Sequence, residues 1–424
     1  MENLFRPISI SLSPNVESDD VKLAASLLFK KHVGVSPRRA CLGELPTTPV
    51  LELEKKFREY LRVKAAYSFN SGRAALMAVL AALELERGSE VLLQAFTCNA
   101  AANPVIWSGL APVYVDCDQN YNLSVEDLKK KITPKSRAVM IQHTFGLPAE
   151  IDAIQKVCGD HNLILIEDCA HSLGAEYHGR RIGTFGKAAF FSFSRDKIIS
   201  CVYGGMAVTD DQDLAKKIAA FQEKAGNPSD RWTFQQLLHP VLMDKLILPT
   251  YSIFGKHLLV LFQWLHILSK AIHWKEKRGM RPDYFPKRLP DKLAALALNQ
   301  FRKLEDFNRH RRKLAEFYRK ELKNTDFILP DETNNILPAC LRFSIRHGNA
   351  KNIIKKAWRK NLLLGDWYRT PVDPFDTLPE TVGYKKGSCP NAEAFAGKMI
   401  NLPTHINIGE SEARKILTFI KRCK

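Results

Sequence analysis

The sequence lacks most of the signals that settle a function early. Its nine cysteines are scattered and none forms a C-x-x-C pair, which excludes a zinc ribbon and a thioredoxin-like site. An odd, dispersed set, with Cys158, Cys169 and Cys201 inside apolar stretches, reads as small buried hydrophobes in a reducing compartment. The N-terminus, MENLFRPISISLSPN, has no basic region followed by an apolar one, so a cytoplasmic location is expected. No clean apolar run reaches the ~20 residues needed to span a bilayer. There is no internal repeat and no low-complexity tract. Among the 12 histidines no His-Glu metal motif occurs, and no metal site is expected. The stretch GTFGKA (183–188) lacks the earlier glycine and the following Ser/Thr of a P-loop. DCDQNYN (116–122) has Tyr121 where a calcium loop needs glycine. Acidic residues are scarce against basic ones, 45 to 63, giving a formal charge of +18. The basic residues are spread along the chain without a finger, basic zipper or RNP-like motif, so nucleic acid is not an expected partner. An anionic membrane surface and a phosphorylated substrate remain.

What is present is a regular alternation. Over 424 residues, 45% hydrophobic and 25% charged, the chain is long enough to bury a large core without disulfides or metal. Helical patterns at 51–61, 74–85 and 149–160 alternate with short apolar strands at 90–94, 111–115, 137–142 and 163–166. Strands separated by helices predict βαβ units and a mainly parallel, covered sheet. In such sheets ligands sit at the carboxyl ends of the strands, so chemistry is sought there. Helix resumes over 290–322, and the remainder reads as a smaller α/β domain. The expected organisation is a large domain over 1–283, with an apolar and basic insert at about 228–283, and a small domain over 284–424.

Three pieces stand at strand ends or helix starts. LILIEDCAH (163–171) ends an apolar strand in Glu167 and Asp168; an acid there either caps the strand or points into the ligand crevice. FFSFSRDK (190–197) ends an aromatic strand in a serine-rich turn and Lys197. That lysine is either an ordinary turn residue or a desolvated amine able to form a Schiff base. NSGRAAL (70–76) turns into a helix, with Ser71 as an N-cap or with the free amides of the first turn as an anion site. Together they supply what pyridoxal phosphate (PLP) needs: an anion cradle, an acid for the pyridine nitrogen, and an amine for the aldehyde.

The same residues carry a resemblance. EDCAHSLGAEYHGRRIGTFGKAAFFSFSRDK and YGGMAVTDD resemble the PLP-dependent sugar aminotransferases of the DegT/StrS type, of aminotransferase fold type I. LGELPTTPVLELEKKFREYL, NSGRAAL, LAPVYVDCD and NLPTHINI extend the match from about Arg39 to the C-terminus. The resemblance implies an α/β fold type I enzyme, a homodimer, that moves an amino group from a donor such as glutamate to a keto sugar carried on a nucleotide. By position, Lys197 is the implied Schiff-base lysine and Asp168 the partner of the pyridine nitrogen. His171 falls beside the ring. Gly72 and Arg73 would hold the phosphate through backbone amides, helped by the Ser192 hydroxyl.

Departures from the family pattern are informative. Arg73 replaces a frequent threonine and is expected to add a charged contact to the phosphate. Cys98 stands where the family places an aromatic ring over the cofactor. Pro286 stands in place of the asparagine that reaches the partner subunit's phosphate, with Arg288 kept. Dehydratases of the family carry histidine in place of the lysine, so Lys197 points to transamination; a sugar dehydratase and a silent binding or regulatory protein are the rival readings. The insert LILPTYSIFGKHLLVLFQWLHILSKAIHW (246–274) is more apolar than the family pattern. It reads either as a helical pair covering the active-site mouth or the dimer seam, or as a segment lying in a membrane interface.

Overall fold

Seven strands make the central sheet: β1 (Ala65–Phe69), β2 (Glu90–Gln94), β3 (Ala111–Val115), β4 (Ser136–Gln142), β5 (Ile164–Asp168), β6 (Ala188–Ser192) and β7 (Gly205–Thr209). The structure is a computed structural model that describes residues 5–30, 48–331 and 335–423, so the first part of the resembling stretch, 39–47, lies outside the described residues. The spatial order is β1-β7-β6-β5-β4-β2-β3. All neighbours pair in parallel except β7, which runs antiparallel to both β1 and β6. The sheet is therefore mainly parallel, as expected. Two of its strands, β2 and β3, coincide with the sequence reading, whereas β1 and β7 were not foreseen.

Helices cover both faces. In chain order those used below are α1 (Ser18–Phe29), α2 (Pro49–Leu61), α3 (Gly72–Ala82), α4 (Asn99–Trp107), α5 (Gln212–Ala225), α6 (Asp230–Leu242), α7 (Lys256–Trp264), α8 (Asp291–Phe301) and α9 (Leu304–Leu322). Because side chains alternate across a strand, each strand feeds two cores. Leu92, Val139, Leu165 and Phe191 point to the face covered by α2 and α8. Val91, Leu93, Ile166 and Phe190 point to the face covered by α3 and α5. The apolar spacing of α8 explains its place: Leu293, Ala294, Leu296 and Ala297 are all buried.

The cores do not follow chain order. Helix α8, assigned by sequence to the C-terminal part, packs against α2 in the sheet's first core. Residues Tyr368, Val372, Val382 and Phe395 return to the second core. A third core joins Leu314, Tyr318 and Leu322 of α9 to the antiparallel pair of β8 (Arg342–Arg346) and β9 (Met399–Pro403). The N-terminal strap joins this assembly too, pairing Ile8–Ser9 in parallel with Leu362–Leu363. Residues 368–399 thus bring C-terminal side chains to the carboxyl ends of the sheet strands.

Phe57 fixes α2 to this frame. It is fully buried, and its ring lies 5.6 Å from Phe191, 5.3 Å from Phe193 and 5.0 Å from Phe301. Truncation would leave a cavity between sheet, α2 and α8. Phe57→Ala is expected to lower the unfolding free energy by about 3–5 kcal/mol, read by urea denaturation. A loss below about 1 kcal/mol would show that this contact does not hold the layer together.

Candidate active site

The carboxyl ends of β4, β5 and β6 and the N-terminus of α3 open on one cavity of about 510 Å³. Asp168 is the last residue of β5 and lines it, buried, with one carboxylate oxygen accepting the Ala170 N–H at 3.0 Å. Burial pushes its carboxyl up to about 6, against the opposing pull of the Lys197 charge. Lys197 lies in the turn after β6 and faces the same space. Desolvation holds its amine below the ordinary lysine value, partly offset by Asp196. The turn is fixed by a backbone bond from Lys197 N–H to the Ser194 carbonyl, 3.2 Å.

The third wall is the start of α3. Ser71 caps the helix by accepting the Ala74 N–H at 3.0 Å. The amides of the first turn have no intrahelical acceptor and carry the positive end of the helix dipole. Gly72 lies so close to β6 that a methyl group there would stand 2.9 Å from Ser192 Cβ and 3.3 Å from the Phe191 carbonyl oxygen. Its lack of a side chain sets the Ser192 hydroxyl beside the helix amides. The result is a small cradle of N–H and O–H groups suited to a phosphate.

Arg73 departs from expectation. Its guanidinium, foreseen at the phosphate, is instead buried in an ion pair with Glu276 and lies 4.6 Å from the Phe285 ring centroid. The reason is geometric. Glu276 is fully buried and needs a cation, and its main-chain carbonyl accepts from Asn99 and Asn103 of α4. Arg73 thereby fastens the end of the insert to α3 and α4, leaving its backbone at the cradle.

His171 and Cys98 complete the expected set. The His171 ring is stacked on Phe145 at 5.9 Å, and its Nδ1 accepts the Phe145 N–H at 3.3 Å. Burial and the nearby Lys197 and Arg342 charges keep it far below the ordinary histidine pKa, hence neutral. Cys98 caps α4, its Sγ accepting the Ala100 N–H at 3.5 Å, and burial pushes the thiol up to about 11. All seven sequence-predicted residues (Gly72, Arg73, Cys98, Asp168, His171, Ser192 and Lys197) therefore line one cavity.

Several lining residues escaped the sequence reading. Trp367 and Tyr368 arrive from the C-terminal part; Arg342 lies 3.7 Å from the Trp367 ring centroid and pairs with Asp196. Arg195 is buried, with its guanidinium 5.6 Å from the Tyr203 ring centroid, and its Nε has no hydrogen-bond partner among the described residues. Ser11, Leu12 and Ser13 come from the N-terminal strap, and Met243, Leu259, Gln263 and Lys270 from the insert. Beneath Lys197, buried Asn15 donates to the Lys197 carbonyl and to that of Ile198 (3.0 Å). The one available signal was the pair Arg195–Asp196, two charges in a turn that follows a buried aromatic strand.

Comparison with known proteins agrees with this geometry. The profile of the DegT/DnrJ/EryC1/StrS aminotransferase family matches residues 47–244 and 270–421. A GDP-perosamine synthase of Vibrio cholerae is 26% identical over 372 residues, covering 87% of this chain and 89% of its own. A UDP-N-acetyl-3-dehydro-alpha-D-glucosamine 3-aminotransferase of Acidithiobacillus ferrooxidans is 28% identical over 354 residues, covering 83% and 82%. The solved structure of Helicobacter pylori PseC, an aminotransferase involved in the biosynthesis of pseudoaminic acid, shares the fold with a TM-score of 0.74 at 20% identity, covering 99% of each chain. The matched segments span most of the chain and contain every predicted site residue. The chain therefore belongs to the DegT/DnrJ/EryC1/StrS family of PLP-dependent sugar aminotransferases.

Proposed function

We propose that this sugar aminotransferase takes its amino group from glutamate and delivers it to a ketone on a sugar carried by a nucleoside diphosphate. The observation that carries the reading is the meeting of Lys197, Asp168 and the Gly72–Ser192 cradle in one cavity. The residues fit PLP: a desolvated amine for the aldehyde, a carboxylate for the ring nitrogen, and amides with a hydroxyl for the phosphate. Bound PLP supplies an electron sink for the carbanion that transamination requires.

The chain's own groups do the rest. Asp168 keeps a proton on the ring nitrogen. Ser192 Oγ and the amides of Gly72 and Arg73 bind the phosphate. Lys197 Nζ would hold the cofactor and, when free, would take and return a proton beside the reacting carbon. Neutral His171 and the uncharged Cys98 thiol line the same cavity and would border the ring. Buried Arg195, with Lys270 nearby on the cavity wall, favours an anionic acceptor such as a diphosphate and the carboxylates of the donor. GDP- and UDP-linked sugars appear in the names of the relatives, which supports a nucleotide carrier. The reading includes a cytoplasmic homodimer, as the family resemblance implies.

Two measurements test it. Mixed with glutamate and no acceptor, the PLP-loaded protein is expected to release one 2-oxoglutarate per site and stop, then resume when a GDP- or UDP-linked keto sugar is added. Loss of water from the sugar without amination would favour a dehydratase, and inertness to every amino donor a binding protein. The second concerns pH. Below about 6 the Asp168 carboxyl is protonated in the cofactor-free protein and no longer attracts a protonated ring. PLP affinity is therefore expected to fall as pH drops through about 6, by up to roughly tenfold per unit. Asp168→Asn should bind more weakly and lose that slope; an unchanged slope in an equilibrium titration would remove Asp168 from this role.

A further inference from the structure

The family profile leaves out residues 245–269, the heart of the apolar insert. Helix α6 and the following turns bend by 108° into the segment Tyr251–Trp264. One side of this elbow faces inward. Met243, Leu259 and Gln263 line the cavity, and Met243, Ile247, Leu248 and Leu268 form a small core against Leu12 of the strap. The insert thus covers part of the active-site wall.

Among the described residues nothing covers the other side. Ile253, Phe254, Val260, Leu261, Trp264 and Leu265 are each between 45% and 72% exposed. No residue of α7 is buried. Six large apolar side chains exposed on one elbow exceed what scattered surface hydrophobes explain. The charges around them are mostly of one sign: from Lys245 to Lys275 the chain has four lysines and no Asp or Glu, and outside that stretch Asp244 and Asp283 pair with Lys245 and Lys275, each at 3.1 Å. Lys245 and Lys256 are exposed and do not line the cavity.

We propose that this outer face docks on an anionic lipid surface, with the elbow lying in the interface. Tryptophan, phenylalanine and leucine enter the acyl boundary, and the lysines meet the headgroups. The bend suits a segment that lies in the surface, since no single helix among the described residues is long and apolar enough to cross it. A second copy of this chain is the less fitting occupant. A two-fold contact places the same patch on both sides, so its excess of lysine over acid would face itself. The proposal is independent of the substrate assignment above.

The test is sedimentation of the full PLP-loaded protein with vesicles of phosphatidylcholine alone or with added phosphatidylglycerol. Binding is expected to rise with phosphatidylglycerol and to weaken as salt is added. Leu261→Ser with Trp264→Ser should reduce the partition coefficient roughly tenfold or more, and so should Lys245→Gln with Lys256→Gln. The glutamate half-reaction should be unchanged in both, since none of the four residues lines the cavity. A wild-type protein that stays in the supernatant with both vesicles at low salt overturns the proposal. So does pelleting of both double variants to the same extent as the wild type. Sedimentation velocity that shows the Leu261/Trp264 variant losing an oligomer, with no vesicle binding by the wild type, would assign the face to a second copy.

Discussion

The site depends on one close approach: the start of α3 lies against the carboxyl end of β6 and the start of β7. Two glycines permit it. A methyl group at Gly72 would meet Ser192, and one at Gly205 would stand 2.5 Å from the Gly72 nitrogen and the Ser71 carbonyl. Backbone packed on backbone leaves little room for adjustment. This contact puts free helix amides beside the Ser192 hydroxyl, five residues before Lys197 in the chain. The parallel register of β5 and β6, with Asp168 opposite Phe190, then brings the acid to the same opening.

Electrostatics inside the cavity follow from dryness. Burial raises Asp168, lowers Lys197 and keeps His171 neutral. Each shift opposes the charged form, so the cavity without cofactor holds its ionisable groups at a cost. A bound molecule bearing an aldehyde, a basic ring and a phosphate answers those groups together. Arg195 and the Asp196–Arg342 ion pair add further charge to the same cavity.

The sequence made much of this legible, for physical reasons that differ by element. Strands β2 and β3 carry dense apolar runs, and their bounds could be read directly. Strands β1 (AAYSF) and β7 (GMAVT) are rich in small residues because the helix start presses on them, and small residues leave no strand pattern. Asp168 and Lys197 could each be read alone as a cap or a turn residue; their proposed roles came from the three pieces taken together and from the family resemblance. Arg73 was not: its ion pair with Glu276 spans 203 positions, and no local pattern reports such a partner. Asn15 and the strap were missed for the same reason, since the support of Lys197 comes from a segment 182 positions earlier. The insert was ambiguous as sequence because it has both an inner and an outer side, and only packing separates them.

The central claim is that Lys197 is the residue that holds PLP in this cavity. Borohydride reduction of the PLP-loaded protein, followed by peptide mass mapping, tests it most directly. The account predicts a visible absorption band that reduction bleaches, a phosphopyridoxyl mass on the peptide containing Lys197, and neither band nor label in Lys197→Ala. A label on another lysine, or a wild-type protein that shows no band with PLP in excess, would contradict it.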